Sequence, residues 1–270
     1  MKKMKKMIGL LTVSLAGTGW MAAIASAETG SSRDLVREPL YDVYLPNRAA
    51  TTLTTPSGWG AWGNTIFIGG GITSPAPYTD DSDGAATVGF GVGNPAENVG
   101  LQISATVNDL SEQDNVSYGA VLHRYIGYGT SVAIGGEHLF RDKEESDAGE
   151  SYYLGFGHAF QNVASETPGE SGLHGSIGVG NGRFAHKSPL DVADGKGEKG
   201  SYVFGALAYE IFTRTNVILE WSGLNLNAGI AVAPFESFPL GVVLGAADLT
   251  DNSGDGVRFI GAAGLAYQFN

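Results

Sequence analysis

The chain has 270 residues, 16 basic and 28 acidic side chains, a net charge of −12 and no cysteine. So acidic a chain, with no basic stripe to neutralise phosphates, is not a nucleic-acid binder. Without cysteine it has no disulfide framework, thiol nucleophile or cysteine-ligated metal, which for an exported chain fits a Gram-negative envelope.

The opening M-K-K-M-K-K-M sets four lysines before the apolar run I-G-L-L-T-V-S-L-A-G-T-G-W-M-A-A-I, and Ala25-Ser26-Ala27 follows. A charged start, a short apolar middle and a small-x-small end predict a secretory signal peptide over residues 1–27, cut after Ala27. The run is too short and too rich in Gly, Ser and Thr to serve as a transmembrane anchor. Its loss leaves 12 basic residues against 28 acidic ones. Residues 28–63 carry prolines, mixed charge and the stretch T-T-L-T-T-P-S-G-W-G-A-W-G. They read as an irregular periplasmic N-terminal segment that folds back either into the main domain or under it.

From Asn64 onward the hydrophobic period is two, the signature of strands. Twelve strands are expected, at 64–73, 85–93, 98–108, 116–125, 130–140, 151–160, 172–183, 201–211, 215–223, 226–234, 239–248 and 256–269. Ten and fourteen are the neighbouring even counts. The stretch from Thr87 to Asp109 shows the pattern most plainly. Val88, Phe90, Val92, Leu101, Ile103, Ala105 and Val107 share one face, and Gly89, Gly91, Gly93, Gln102, Ser104 and Thr106 the other. A soluble sandwich places charge on its outward face. Here that second face is small and nearly uncharged, and charge is concentrated in the loops, such as P-Y-T-D-D-S-D-G and R-D-K-E-E-S-D-A-G-E. Loops after odd strands are long and acidic, except that little more than L-N joins the ninth and tenth strands. Links after even strands are short, except Q-N-V-A-S-E-T-P-G-E-S. Strand 201–211 is apolar on both faces, and Ile260 interrupts the small face of the last strand. An apolar outside, a small-residue inside and alternating loop lengths predict an all-β fold, a transmembrane antiparallel up-and-down β-barrel over 64–270.

The final strand, A-G-L-A-Y-Q-F-N, alternates apolar residues and ends on an aromatic, displaced one place by Asn270. In this it resembles the C-terminal strand of Gram-negative outer-membrane β-barrel proteins. The resemblance is to the class, and implies an outer-membrane location with Tyr267 and Phe269 as the assembly signal. The implied partners are outer-membrane lipid and lipopolysaccharide, the assembly machinery and small solutes. Tyr125, Phe160, Phe212 and Phe235 sit near turn-side strand ends and suggest an interfacial girdle.

His174-Gly175-Ser176 is the sharpest catalytic candidate. It is similar to the His-x-Ser pair that outer-membrane phospholipase A and lipid A deacylases carry on a barrel strand, where the histidine activates the serine. That resemblance implies His174 as base and Ser176 as nucleophile. Strand parity, however, gives the lipid face to Leu173, Ile177 and Val179 and turns the pair into the lumen. Parity also points Glu137, Glu220 and Arg258 inward, either to set ion selectivity or to pair inside a filled barrel. His138 and His158 fall on the lipid face near strand ends. The acidic loops lack the EF-hand spacing and its terminal Glu, so no metal or other cofactor is expected. The leading expectation is a narrow, porin-like channel for small solutes, gated by the N-terminal segment. A non-catalytic structural or adhesive barrel comes second and a membrane-lipid hydrolase third.

Overall fold

The structure, a computed structural model, describes residues 43–76, 81–108, 110, 116–140, 150–252 and 256–269. The expected signal peptide, 1–27, residues 28–42 and parts of the acidic loops lie outside the described residues. Twelve antiparallel strands close into one barrel. In chain order they are β2 (Thr65–Ser74), β3 (Asp83–Gly93), β4 (Gly100–Val107), β5 (Val116–Gly127), β6 (Thr130–Leu139), β7 (Ser151–Ala159), β9 (Leu173–Gly180), β10 (Val203–Phe212), β11 (Thr215–Trp221), β12 (Leu226–Val232), β13 (Leu240–Ala247) and β14 (Arg258–Gln268). All the expected strands form. The ring closes where β2 meets β14, from Thr65↔Gln268 to Ser74↔Phe259. Closure leaves no sheet edge unpaired, which lets so many glycines stand inside strands. Two short strands lie outside the ring: β1 (Leu45–Pro46) pairs in parallel with β8 (Glu170–Ser171).

The alternation sorts side chains as the sequence pattern requires. Ile66, Ile68, Val88, Phe90, Ile103, Leu122, Ile134, Leu154, Ile177, Leu207, Leu219, Ile230 and Leu244 are exposed on the outside. No acidic residue interrupts this outer face along the described strands, and its one arginine, Arg124, sits near the turn-side end of β5. Phe212, Phe235, Phe238, Tyr267 and Phe269 are exposed toward the same end, and the Tyr267 and Phe269 rings meet edge to face at 5.1 Å.

Two positions differ from the expected placement, one of them, Tyr125, because it shares the inward parity of Val121 and His123. Tyr125 is not in the girdle. It is buried, its hydroxyl accepts the Gly129 amide at 3.0 Å, and its ring lies 6.1 Å from Trp59. A register shift between Tyr125 and Gly127 marks the bend. His138 is not lipid-facing but fully buried. Between the pairs Tyr118↔Leu139 and Ala120↔Gly136, β6 spends one residue more than β5, and His138 takes φ 57°. Such a bulge re-aims a side chain that strict alternation would send outward.

Candidate functional site: the occupied lumen

The barrel is not hollow. Residues 43–63, the described part of the N-terminal segment, run inside it. The segment enters beside the β7–β9 connection, where Tyr44 and Gln161 exchange hydrogen bonds and the Leu45 amide donates to the Gly169 carbonyl. It rises past Asn216 of β11 to Glu220, four residues further up the same strand. It then descends past Gly157 and His123 and leaves at the turn side, where the Gly63 amide donates to Gly93 and β2 begins. The result is a hairpin-like plug whose tip, residues 53–55, points toward the acidic-loop side.

A chain without regular structure needs partners for its backbone groups once it leaves water. The wall supplies them from side chains. Asn216 bonds the Asn47 side chain at 2.8 Å and the Ala50 carbonyl at 3.0 Å. Gln102 accepts the Ala61 amide at 2.7 Å, and His123 Nε2 donates to the Ala61 carbonyl at 3.1 Å. Leu53, fully buried, packs with Ala49 and Ala50 against Ile218, Ala231, Val243 and Ile260. Ile260 therefore breaks the small-residue face because it belongs to the contact with the plug.

The inward glycines have two uses. Gly91 and Gly157 make room for plug backbone: a Cβ on Gly91 would run into Ala61, and one on Gly157 into the Ser57 carbonyl and Trp59. Gly89, Gly178 and Gly180 lie instead beneath inward aromatic rings, those of Phe67, Phe204 and Phe184. Phe184 stacks on Phe204 at 4.3 Å. This explains the apolar inner face of β10.

The three inward charges all have partners. Glu137 receives Arg183 Nε at 2.7 Å, both side chains being buried. Arg183 also donates to the Thr54 carbonyl at 2.8 Å and lies 4.2 Å from the centre of the Phe184 ring. Glu220 is bonded by the plug tip and by Asn227. Arg258 is paired with Asp248, at the end of β13. Burial pushes the Asp248 carboxyl above its ordinary value, and the Arg258 charge opposes that push. Arg183 and Asp248 are residues that parity misplaces: the expected strands 172–183 and 239–248 include them on the outward face, whereas β9 ends at Gly180 and β13 at Ala247, so both lie in connections. The only mark of Arg183 in the sequence is a lone cation directly after a strand, in G-N-G-R-F.

His174 and Ser176 both face the lumen. His174 is buried, and its Nε2 lies 3.5 Å from the Asn47 amide of the plug. Ser176 Oγ accepts the Ala206 amide at 3.1 Å. No hydrogen bond joins the pair among the described residues. Nor do those residues hold a cluster of three or more His, Asp or Glu able to bind a metal ion. Above the lumen, the long connection 181–202 carries a short helix α1 (Pro189–Ala193) and reaches the β13–β14 loop, where Lys196 pairs with Asp251 at 3.2 Å.

No family model matches the chain and no curated protein does. Among solved structures it is similar to a KdgM porin, with 11% identity and TM-score 0.44 over 76% of this chain and 99% of that one. It is similar to outer membrane phospholipase A from Escherichia coli, with 11% identity and TM-score 0.41 over 77% and 98%. A third is the TodX deltaS2S3 mutant monoaromatic hydrocarbon channel, with 8% identity and TM-score 0.39 over 78% and 92%.

Proposed function

We propose that the protein is an outer-membrane β-barrel of the channel type, closed at rest by its own residues 43–63. The apolar outer face fits a bilayer, and a closed ring of strands satisfies every backbone group there. The turn side would face the periplasm, and the acidic loops the exterior.

One observation carries the channel reading. Among the described residues the plug shares no strand ladder with the barrel wall: β1 pairs there only with β8, in the β7–β9 connection. Through the lumen it is held by side chains, so it can leave without breaking a wall strand pair. An interior meant only to be filled needs no removable chain, as the aromatics over Gly89, Gly178 and Gly180 show. The selective solute path is then whatever the departing plug uncovers, lined by Glu137, Glu220 and Arg258. A lipid hydrolase finds less support, because its histidine and serine would face a filled lumen rather than lipid.

Planar-bilayer recording tests the proposal. Refolded wild type is expected to be silent or to open in rare, brief events. Asn216→Ala, which removes the wall side chain nearest Asn47, Ala49 and Ala50, is expected to open more often. A barrel whose plug becomes protease-accessible in that variant yet passes no current would be structural, and the channel reading would fall.

A further inference from the structure

The plug tip is built as a receptor for one kind of group. The amides of Leu53, Thr54 and Thr55 reach the Glu220 carboxylate at 2.7, 2.9 and 3.1 Å. The hydroxyls of Thr54 and Thr55 reach it at 2.6 and 2.9 Å. Asn227 of the wall adds one donor at 3.0 Å. Five of these donors come from three consecutive residues, and they converge on both oxygens of one fully buried carboxylate. Successive backbone amides turned to one side form a concave anion site, and charged acceptors strengthen each bond.

Elsewhere in the lumen the grip is spread. Asn216 bonds one side chain and two carbonyls, and Gln102 a single amide. At the tip, by contrast, five plug donors converge on a single wall side chain. Arg183 holds the opposite side of the same turn through the Thr54 carbonyl, which fixes its direction.

We infer that residues 53–55 form a carboxylate-binding site carried by the plug, and that Glu220 is its tethered ligand in the closed barrel. The site recognises a carboxylate as such: two oxygens, one negative charge, no donor of its own. It leaves the wall when the plug leaves. A small free carboxylate fills it when the Glu220 side chain is taken away. This goes beyond the channel proposal and does not depend on it.

The test is chemical rescue of Glu220→Ala with sodium formate, using full-length protein refolded in detergent. The readout is the temperature at which the unboiled form is lost on a gel. Glu220→Ala is expected to lower that temperature, and formate to restore it in a saturable way in the millimolar range. Sodium chloride at equal ionic strength and neutral formamide should do neither. Adding Thr54→Val and Thr55→Val to Glu220→Ala should abolish the response. Glu220→Gln should not be rescued, since its amide still occupies the space. Formate acting no better than chloride, or acting equally well without the two hydroxyls, overturns the inference. If Glu220→Ala does not refold in chloride, refolding yield in formate against chloride becomes the readout, with the same two outcomes. Because stability is measured, a barrel that never conducts can still pass or fail. Formate rescue in a Glu220→Ala barrel whose plug is protease-accessible without formate, yet which passes no current in that state, would refute the channel proposal alone.

Discussion

Gly91→Val puts the plug and the wall in direct conflict. Gly91 lies inside β3 with no unusual backbone angle, so valine suits the strand itself and adds about 0.5–1 kcal/mol to it. Its Cβ, however, would fall on the Ala61 backbone and within 2.5 Å of the Trp62 nitrogen. Backbone cannot turn aside as a side chain does, so the plug must move. Overpacking of a filled interior costs about 1–3 kcal/mol. Displacing Ala61 also strains its bonds to Gln102 and His123, each worth about 1 kcal/mol net. The plugged state is therefore expected to lose roughly 3 kcal/mol against the unplugged one, about a hundredfold in the ratio of the two. Single-channel recording should show a large rise in open probability, and Arg48 of the plug should become a faster trypsin site. Ala105→Val, an outward position on the neighbouring β4, is the matched control and should do neither. If Gly91→Val stays as silent and as protected as the control, the glycine face is not sized for the plug.

Three further outcomes follow from the same geometry. Arg183→Met leaves Glu137 buried without its cation and Thr54 without a donor, which should cost about 3–5 kcal/mol; adding Glu137→Gln should recover part of it in a double-mutant cycle read by urea-dependent gel shift. Val88→Arg places a charge midway along the outer face and should cost about 2–4 kcal/mol of folding in bilayers while changing little in detergent. Phe269→Ala should lower the fraction of protein recovered folded in the outer membrane, without lowering the stability of barrels refolded in vitro, if the terminal aromatic serves assembly.

The wall was legible because a strand with an apolar outer face obeys a two-residue period with no relief, and a one-residue slip would turn Val88, Phe90 and Ile103 inward together. Legibility failed where that period is broken on purpose. The bulge at Glu137–His138 shifts the phase and carries no local sequence mark, whereas Tyr125 keeps the inward parity of Val121 and His123. Glu137, Glu220 and Arg258 were found by parity, yet their partners were not. Arg183 and Asp248 stand outside the strands, and the tip donors of Glu220 are backbone amides, which every residue has.

The irregularities in the strand pattern turn out to share one cause. The overlong link after β7 carries β8, which docks β1 and holds the segment as it enters the lumen. The very short β11–β12 link keeps Glu220 and Asn227 face to face in register, where together they meet Thr54. Ile260, out of place in a small-residue face, packs with Leu53. An empty pore would have asked for none of these. A barrel filled by its own chain asks for each of them. It needs a dock at one mouth, a carboxylate at the far end and bare backbone on the wall where the chain passes.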